Sequence, residues 1–381
     1  NIVLTYTGPI DEHDLPLLID TLEQAKKLEE PVIIHVITKK GKGYRPAEKN
    51  PEKFHGIGPF YIKDGEVISK SSKPSNTAIF SDTLLQAAKK DDKIAAVTAA
   101  MPEGTGLKKF GEEYPERFFD VGIAEEHAVT FCAGMAANGW KPVFAVYSTF
   151  LQRGFDQVLH DVALGNYPVI FGVDRSGLVG ADGETHQGIF DIPYLSMIPN
   201  LTIMAPINGR EIKEMLLYAL NHATGPIAIK YSRGEAETLL EESFQKIEYG
   251  KGQIIHRGKD AVLVAVGNIF CEAYEAMKLL EAEGYEIGLV NPRYLKPFDQ
   301  KLLDELAQTY DCIVTIEEGI LHGGFGAGVM QYLYQNGYTG RVRNIGIDDV
   351  FVEHGSIKEL RQMLKLDGKG IADSVKEMLS N

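Results

Sequence analysis

Between Asp120 and Gly188 the chain concentrates groups that can carry charge, move protons or stack on rings: Glu125, Glu126, His127, Tyr147, Phe150, Arg153, His160, Arg175, Asp182 and His186. They are set among short apolar runs, so they emerge at element ends, where clefts form. Histidine titrates near neutrality and a positioned carboxylate can govern a proton. A guanidinium presents paired, charge-assisted donors to a phosphate. A merely structural domain would not need them there, although each Arg read alone fits a surface ion pair as well.

Elements must hold them in place. Pro142–Val146 and Pro168–Val173 read as buried parallel strands, with a helix from Phe155 to Leu164 between them. In open α/β sheets ligands bind beyond the carboxyl ends of the strands. Those ends carry YSTFLQR and DRSGLVGADGETHQG. Upstream, Glu125 enters a helix continuing as HAVTFCAGMAANG, whose Ala133, Gly134, Ala136 and Ala137 permit close packing. A carboxylate there is expected to be largely desolvated.

The totals set limits. With 381 residues and 44% hydrophobic content, the chain can bury two or three cores. A formal net charge of −14 argues against nonspecific nucleic-acid binding, which needs a basic surface. Cys132, Cys271 and Cys312 are widely spaced inside apolar runs, as neither a disulfide framework nor a zinc site would have them. No apolar run approaches the ~20 residues of a membrane span. The chain starts at Asn1 rather than Met and is expected to begin inside a domain.

In chain order, Leu15, Leu18, Leu22, Ala25 and Leu28 recur at helical spacing before Pro31, and Pro31–Thr38 reads as a buried strand. The loop KKGKGYRPAEKNPEKFHG follows; its Lys39, Lys40 and Lys42 could meet phosphate or simply be solvated. Gly65–Asn76 suits a linker. A helix over Ala78–Lys89, a strand over Lys93–Ala99 and an irregular stretch over Met101–Phe119 lead into the central segment. LTIMAPI, a helix and PIAIKYS continue the α/β alternation, and Arg233 follows the last strand. The acidic run Glu235–Glu242 reads as part of a second linker. From Asp260 the alternation restarts and completes a smaller doubly wound domain. Its glycine cluster at Gly323–Gly328 fits close helix packing better than phosphate binding.

The strings IAEEHAVTF, YSTFLQRGFDQVLHD and GADGETHQG resemble those of the 1-deoxy-D-xylulose-5-phosphate synthase family, thiamine-diphosphate enzymes related to transketolase. The resemblance implies an α/β fold of successive doubly wound, mostly parallel-sheet domains. It places residues 1–64 at the end of a diphosphate-binding domain, 77–236 in a pyrimidine-binding domain and 253–381 in a carboxyl-terminal domain, with linkers at 65–76 and 237–252. It implies Glu125, His186 and His55 as catalytic residues. Glu125, Phe150, Arg153 and Lys40 would bind the cofactor, and Tyr147, Arg175, Asp182 and Arg233 the substrate. Surface or interface roles are left for Glu126 and His127.

The implied reaction joins pyruvate to D-glyceraldehyde 3-phosphate with loss of carbon dioxide, in a cytoplasmic homodimer without nucleic-acid or membrane partners. The family's Mg²⁺ motif, GDG, does not occur here. No metal ligand is therefore expected in this chain, and the N-terminal portion of the same enzyme is expected to complete the site. The rival readings are another transketolase-like carboligase, a 2-oxoacid dehydrogenase beta subunit, or a catalytically silent interaction subunit.

Overall fold

A computed structural model describes residues 4–51, 53–68 and 73–380. They divide into one unit up to residue 72 and a second from residue 73. In the first, β1 (Thr5–Asp11) pairs in parallel with β2 (Val32–Ile37), and helix Leu15–Ala25 connects them. Asp14 caps the helix by accepting from Leu17 N–H, and Pro16 lies in the first turn. The expected strand at Pro31–Thr38 is present as β2 but is not buried: its residues alternate between half-buried and exposed. Two strands and one helix have too little apolar cover to bury a strand. Of the expected linker 65–76, residues 69–72 lie outside the described residues.

The second unit begins with helix Asn76–Ala88, capped by Ser75, whose side chain accepts from Ala78 N–H. Around it runs a seven-stranded sheet built from β3 (Ile94–Thr98), β4 (Phe118–Asp120), β5 (Lys141–Tyr147), β6 (Ile170–Asp174), β7 (Thr202–Met204) and β8 (Ile227–Lys230). These six strands pair in parallel. β3, β6 and β8 are buried throughout, as strands covered on both faces must be, so they read as continuous apolar runs.

A five-stranded sheet follows from β9 (Gln253–His256), β10 (Ala261–Ala265), β11 (Ile287–Asn291), β13 (Cys312–Ile320) and β14 (Arg341–Ile347). The remaining strand, β12 (Tyr294–Lys296), leaves that sheet and pairs antiparallel with β7, closing the edge of the larger one. One buried apolar cluster accordingly takes in Phe144 and Phe171 together with Val264, Val290 and Phe325.

Two further stretches differ from the sequence reading. Met101–Phe119 is more ordered than expected, holding helix Lys108–Glu113 and the start of β4. The expected helix Phe155–Leu164 opens as a short α-turn and continues as a π-helix over Val158–Ala163. Such i→i+5 geometry is local and has no simple sequence period.

Candidate active site

Parallel pairing brings the carboxyl ends of β5, β6 and β8 side by side, because Tyr147 lies opposite Asp174 and Val173 opposite Lys230. Tyr147 closes β5, Arg175 follows β6 and Arg233 follows β8. Asp191, fully buried, accepts from Ser148 Oγ at 3.0 Å and Ser176 Oγ at 2.6 Å. One carboxylate thereby ties down both turns that carry Tyr147 and Arg175.

Glu125 is the first residue of helix Glu125–Ala137 and is 2% exposed. Its Oε1 accepts from Arg153 Nη1 at 3.0 Å, while Oε2 is buried with no hydrogen-bond partner among the described residues. A buried, unpaired carboxylate oxygen is costly and points to a partner outside the chain. Phe150 lies against this pair, with the Arg153 guanidinium 5.5 Å from its ring centre. Its ring stacks on Tyr147 at 5.5 Å and 13°, and His186 meets it edge-on at 5.4 Å. A buried acid beside an aromatic platform fits the hydrogen-bonding edge and flat face of an aminopyrimidine ring.

The two arginines at the strand ends are equally well placed. Arg175 sits with its guanidinium 3.7 Å from the centre of the Tyr147 ring and donates to the Gly104 carbonyl at 3.0 Å. Its backbone has φ +58°, a left-handed turn that swings the side chain back over the strand end. Its Nε is buried without a partner among the described residues. Burial pushes the Tyr147 hydroxyl up to about 12, with the charge of Arg175 acting against it. Arg233 donates to Asp182 Oδ2 at 2.7 Å and to the Val179 carbonyl at 3.1 Å. Asp182 and His186 share the loop 177–188, and Thr185 Oγ1 lies 2.8 Å from His186 Nδ1.

Glu125, Tyr147, Phe150, Arg153, Arg175 and His186 are thus linked through direct contacts, and Asp182 and Arg233 form a pair at the next strand end. His160 faces Asp161 instead, 2.9 Å from its Oδ1, and His127 stacks on Phe131. Glu126 is exposed. Lys40 and His55 belong to the first unit, where Lys40 Nζ lies 2.9 Å from His55 Nδ1.

Sequence reasoning missed Asp174, Glu317 and Glu318. Asp174 is fully buried at the end of β6 and accepts from Thr77 Oγ1 at 2.7 Å. Burial raises its carboxyl from the ordinary 3.8 to about 6, against the opposing pull of Arg175 and Thr77. Glu317 accepts from Phe325 N–H at 2.9 Å and Gly326 N–H at 2.8 Å, so the glycine cluster holds a carboxylate of its own chain. Two adjacent glutamates inside the apolar run CIVTIEEGI were the available signal, since charges in a buried strand need partners. Among the described residues no group of three or more His, Cys, Asp or Glu side chains could hold a metal ion.

Comparison with known proteins identifies the family of each segment. Residues 72–238 match the transketolase pyrimidine-binding domain, residues 250–371 the transketolase C-terminal domain, and residues 1–38 a 1-deoxy-D-xylulose-5-phosphate synthase family. The chain is 48% identical over 374 residues to the 1-deoxy-D-xylulose-5-phosphate synthase of Aquifex aeolicus, covering 98% of this chain and 59% of that protein. It is 48% identical over 378 residues to 1-deoxy-D-xylulose-5-phosphate synthase 1 of Geobacter sulfurreducens, again covering 59% of the relative. The chain therefore spans about three-fifths of the length of these relatives. Among solved structures, a split-gene transketolase in an inactive β4 tetramer superposes with a TM-score of 0.72 at 27% identity, over 81% of this chain and 99% of that one. Pichia stipitis transketolase shares the fold at 18% identity, with a TM-score of 0.67 over 81% of this chain and 46% of that one.

Proposed function

Because the chain belongs to the transketolase-like family that includes the 1-deoxy-D-xylulose-5-phosphate synthases, we propose that it carries the pyrimidine and acceptor half of such an enzyme's active site. The reaction joins pyruvate to D-glyceraldehyde 3-phosphate, releases carbon dioxide and yields 1-deoxy-D-xylulose 5-phosphate. The observation carrying this reading is the buried, unpartnered Oε2 of Glu125 beside Phe150. Thiamine diphosphate, when bound, supplies a thiazolium carbon that attacks a keto acid and accepts the electron pair left by decarboxylation.

The residues of this chain have separable tasks. Glu125 holds a proton at the pyrimidine ring nitrogen through Oε2, and Arg153 fixes its other oxygen. Phe150 offers the ring a flat face. Arg175 and Arg233 receive the acceptor phosphate, because fixed guanidinium groups give a dianion several charge-assisted bonds at once. Tyr147 and Asp182 contact the acceptor, and His186 donates to a substrate oxygen while the new bond forms. Lys40 binds the cofactor and His55 is catalytic, both lying beyond the residues 1–38 that match the synthase family.

The proposal includes the domain reading, with residues 1–64, 77–236 and 253–381 as separate domains, and a diphosphate-binding portion that supplies Mg²⁺ and completes the enzyme. It also includes a cytoplasmic homodimer. Among the described residues no helix is long and apolar enough to cross a membrane. The test is an assay of enzyme containing the diphosphate-binding portion, supplied with pyruvate and either glyceraldehyde 3-phosphate or other aldehydes. Product from the other aldehydes alone points to a different carboligase.

A further inference from the structure

The loop that carries Asp182 and His186 is shaped largely by the carboxyl-terminal domain. Its base is closed by Gly177 and Gly188, which exchange backbone bonds of 2.7 and 2.8 Å. Just inside that base, Leu178 N–H donates to Glu318 Oε2 at 3.1 Å. Glu318 stands on β13, is 4% exposed, and accepts from Arg361 Nε at 2.8 Å through its other oxygen. Arg361 is held in turn by Glu272 at 2.9 Å, whose second oxygen accepts from Gly368 N–H. Gly177 has φ +81°, and a Cβ there would stand 2.3 Å from Glu318 Oε2. Only glycine lets the loop come this close.

The next residue connects this support to the anion site. Val179 N–H donates to Gln187 Oε1 at 2.8 Å, and the Val179 carbonyl accepts from Arg233 Nη1 at 3.1 Å. Gln187 also reaches the carbonyls of Val352 and Glu353, so both arms of the loop rest on the carboxyl-terminal domain. A buried ion pair is a poor source of net stability but a good way to fix geometry, because any displacement leaves a charge unpaired.

We propose that Glu318, braced by Arg361, is a positioning residue for acceptor recognition: it fixes the backbone at Leu178 and Val179 and thereby the guanidinium of Arg233. The inference rests on the reading that Arg233 meets the acceptor phosphate. Glu318 touches neither cofactor nor keto acid in that arrangement, so its loss separates the two substrates.

The experiment compares wild type, Glu318→Gln and Glu318→Ala in enzyme containing the diphosphate-binding portion, by steady-state kinetics and amide exchange. Glu318→Ala is expected to raise KM for glyceraldehyde 3-phosphate at least tenfold while KM for pyruvate stays within twofold. Amides of residues 178–187 are expected to exchange at least tenfold faster, with those of the Glu125 helix unchanged. Glu318→Gln keeps an oxygen for Leu178 N–H and is expected to restore most of the loop's protection. Equal rises in both KM values, or unchanged exchange in the loop, overturn the proposal. Should Glu318→Ala fail to fold, Arg361→Lys, which keeps the charge but loses the fork to Glu318 and Glu272, is read by the same two measurements. A wild-type enzyme inactive with both substrates refutes the functional reading instead, and the exchange comparison still decides whether Glu318 holds the loop.

Discussion

Arg153 donates to one carboxylate oxygen of Glu125 at 3.0 Å while the other oxygen stays buried without a partner among the described residues. Arg153 is half exposed and Glu125 is not, so the pair has one wet and one dry end, and the dry end is where a ligand group would be recognised.

Glu125→Gln keeps the shape and removes the acid. In the complete enzyme, turnover should fall at least ~10²-fold while cofactor affinity stays within about tenfold. Single-turnover kinetics and a thiamine diphosphate titration measure the two separately. Near-normal turnover removes Glu125 from the chemistry.

Arg175 and Arg233 stand at the ends of different strands, are proposed to meet the acceptor phosphate, and Arg233 is already paired with Asp182 at 2.7 Å. A charge-assisted hydrogen bond is worth roughly 1.5–3 kcal/mol, so each Arg→Ala should cost about 10- to 150-fold in kcat/KM for glyceraldehyde 3-phosphate. Unphosphorylated glyceraldehyde never makes the contact and should lose much less. Equal losses for both aldehydes assign the arginines to the fold or the cofactor.

Phe150 is only partly buried, and its ring is parallel to Tyr147. Replacing it with Leu keeps apolar bulk but loses the flat face, and ring stacking is worth roughly 0.5–1.5 kcal/mol. Thiamine diphosphate should bind about 2- to 10-fold more weakly in calorimetry. A drop in melting temperature with unchanged cofactor affinity shows that the ring is core alone.

Asp174 gives stability a pH dependence of definite sign. Its folded carboxyl titrates near 6 and its unfolded one near 3.8, so between those values the native state holds a proton that the unfolded state has lost. Its contribution is fully present below the unfolded value and is lost as pH rises through 6. The loss is on the order of 3 kcal/mol at neutral pH. Glu317, raised by burial to about 7, acts in the same direction. Asp174→Asn should flatten urea-measured stability between pH 4 and pH 6 relative to wild type. An unchanged slope across that window rejects the assignment.

Much of this site was legible in the sequence, because local pattern is enough to place strand ends. The apolar runs Pro142–Val146, Pro168–Val173 and PIAIKYS are each short and bounded, so their type and, to within one or two residues, their carboxyl ends follow from residue order, and parallel pairing then aligns Tyr147, Arg175 and Arg233 on one edge. The polar strings between them carried the family resemblance that the comparisons bear out. Tertiary structure decided what each charge meets. Glu318 finds Leu178 across 140 residues, Arg233 finds Asp182 across 51, and β12 crosses to pair with β7 instead of staying beside β11. A buried carboxylate announces in sequence only that it needs a partner. Which donor it receives depends on how two sheets pack, and that packing is fixed by the summed fit of many apolar side chains, to which no single stretch of residues holds the key.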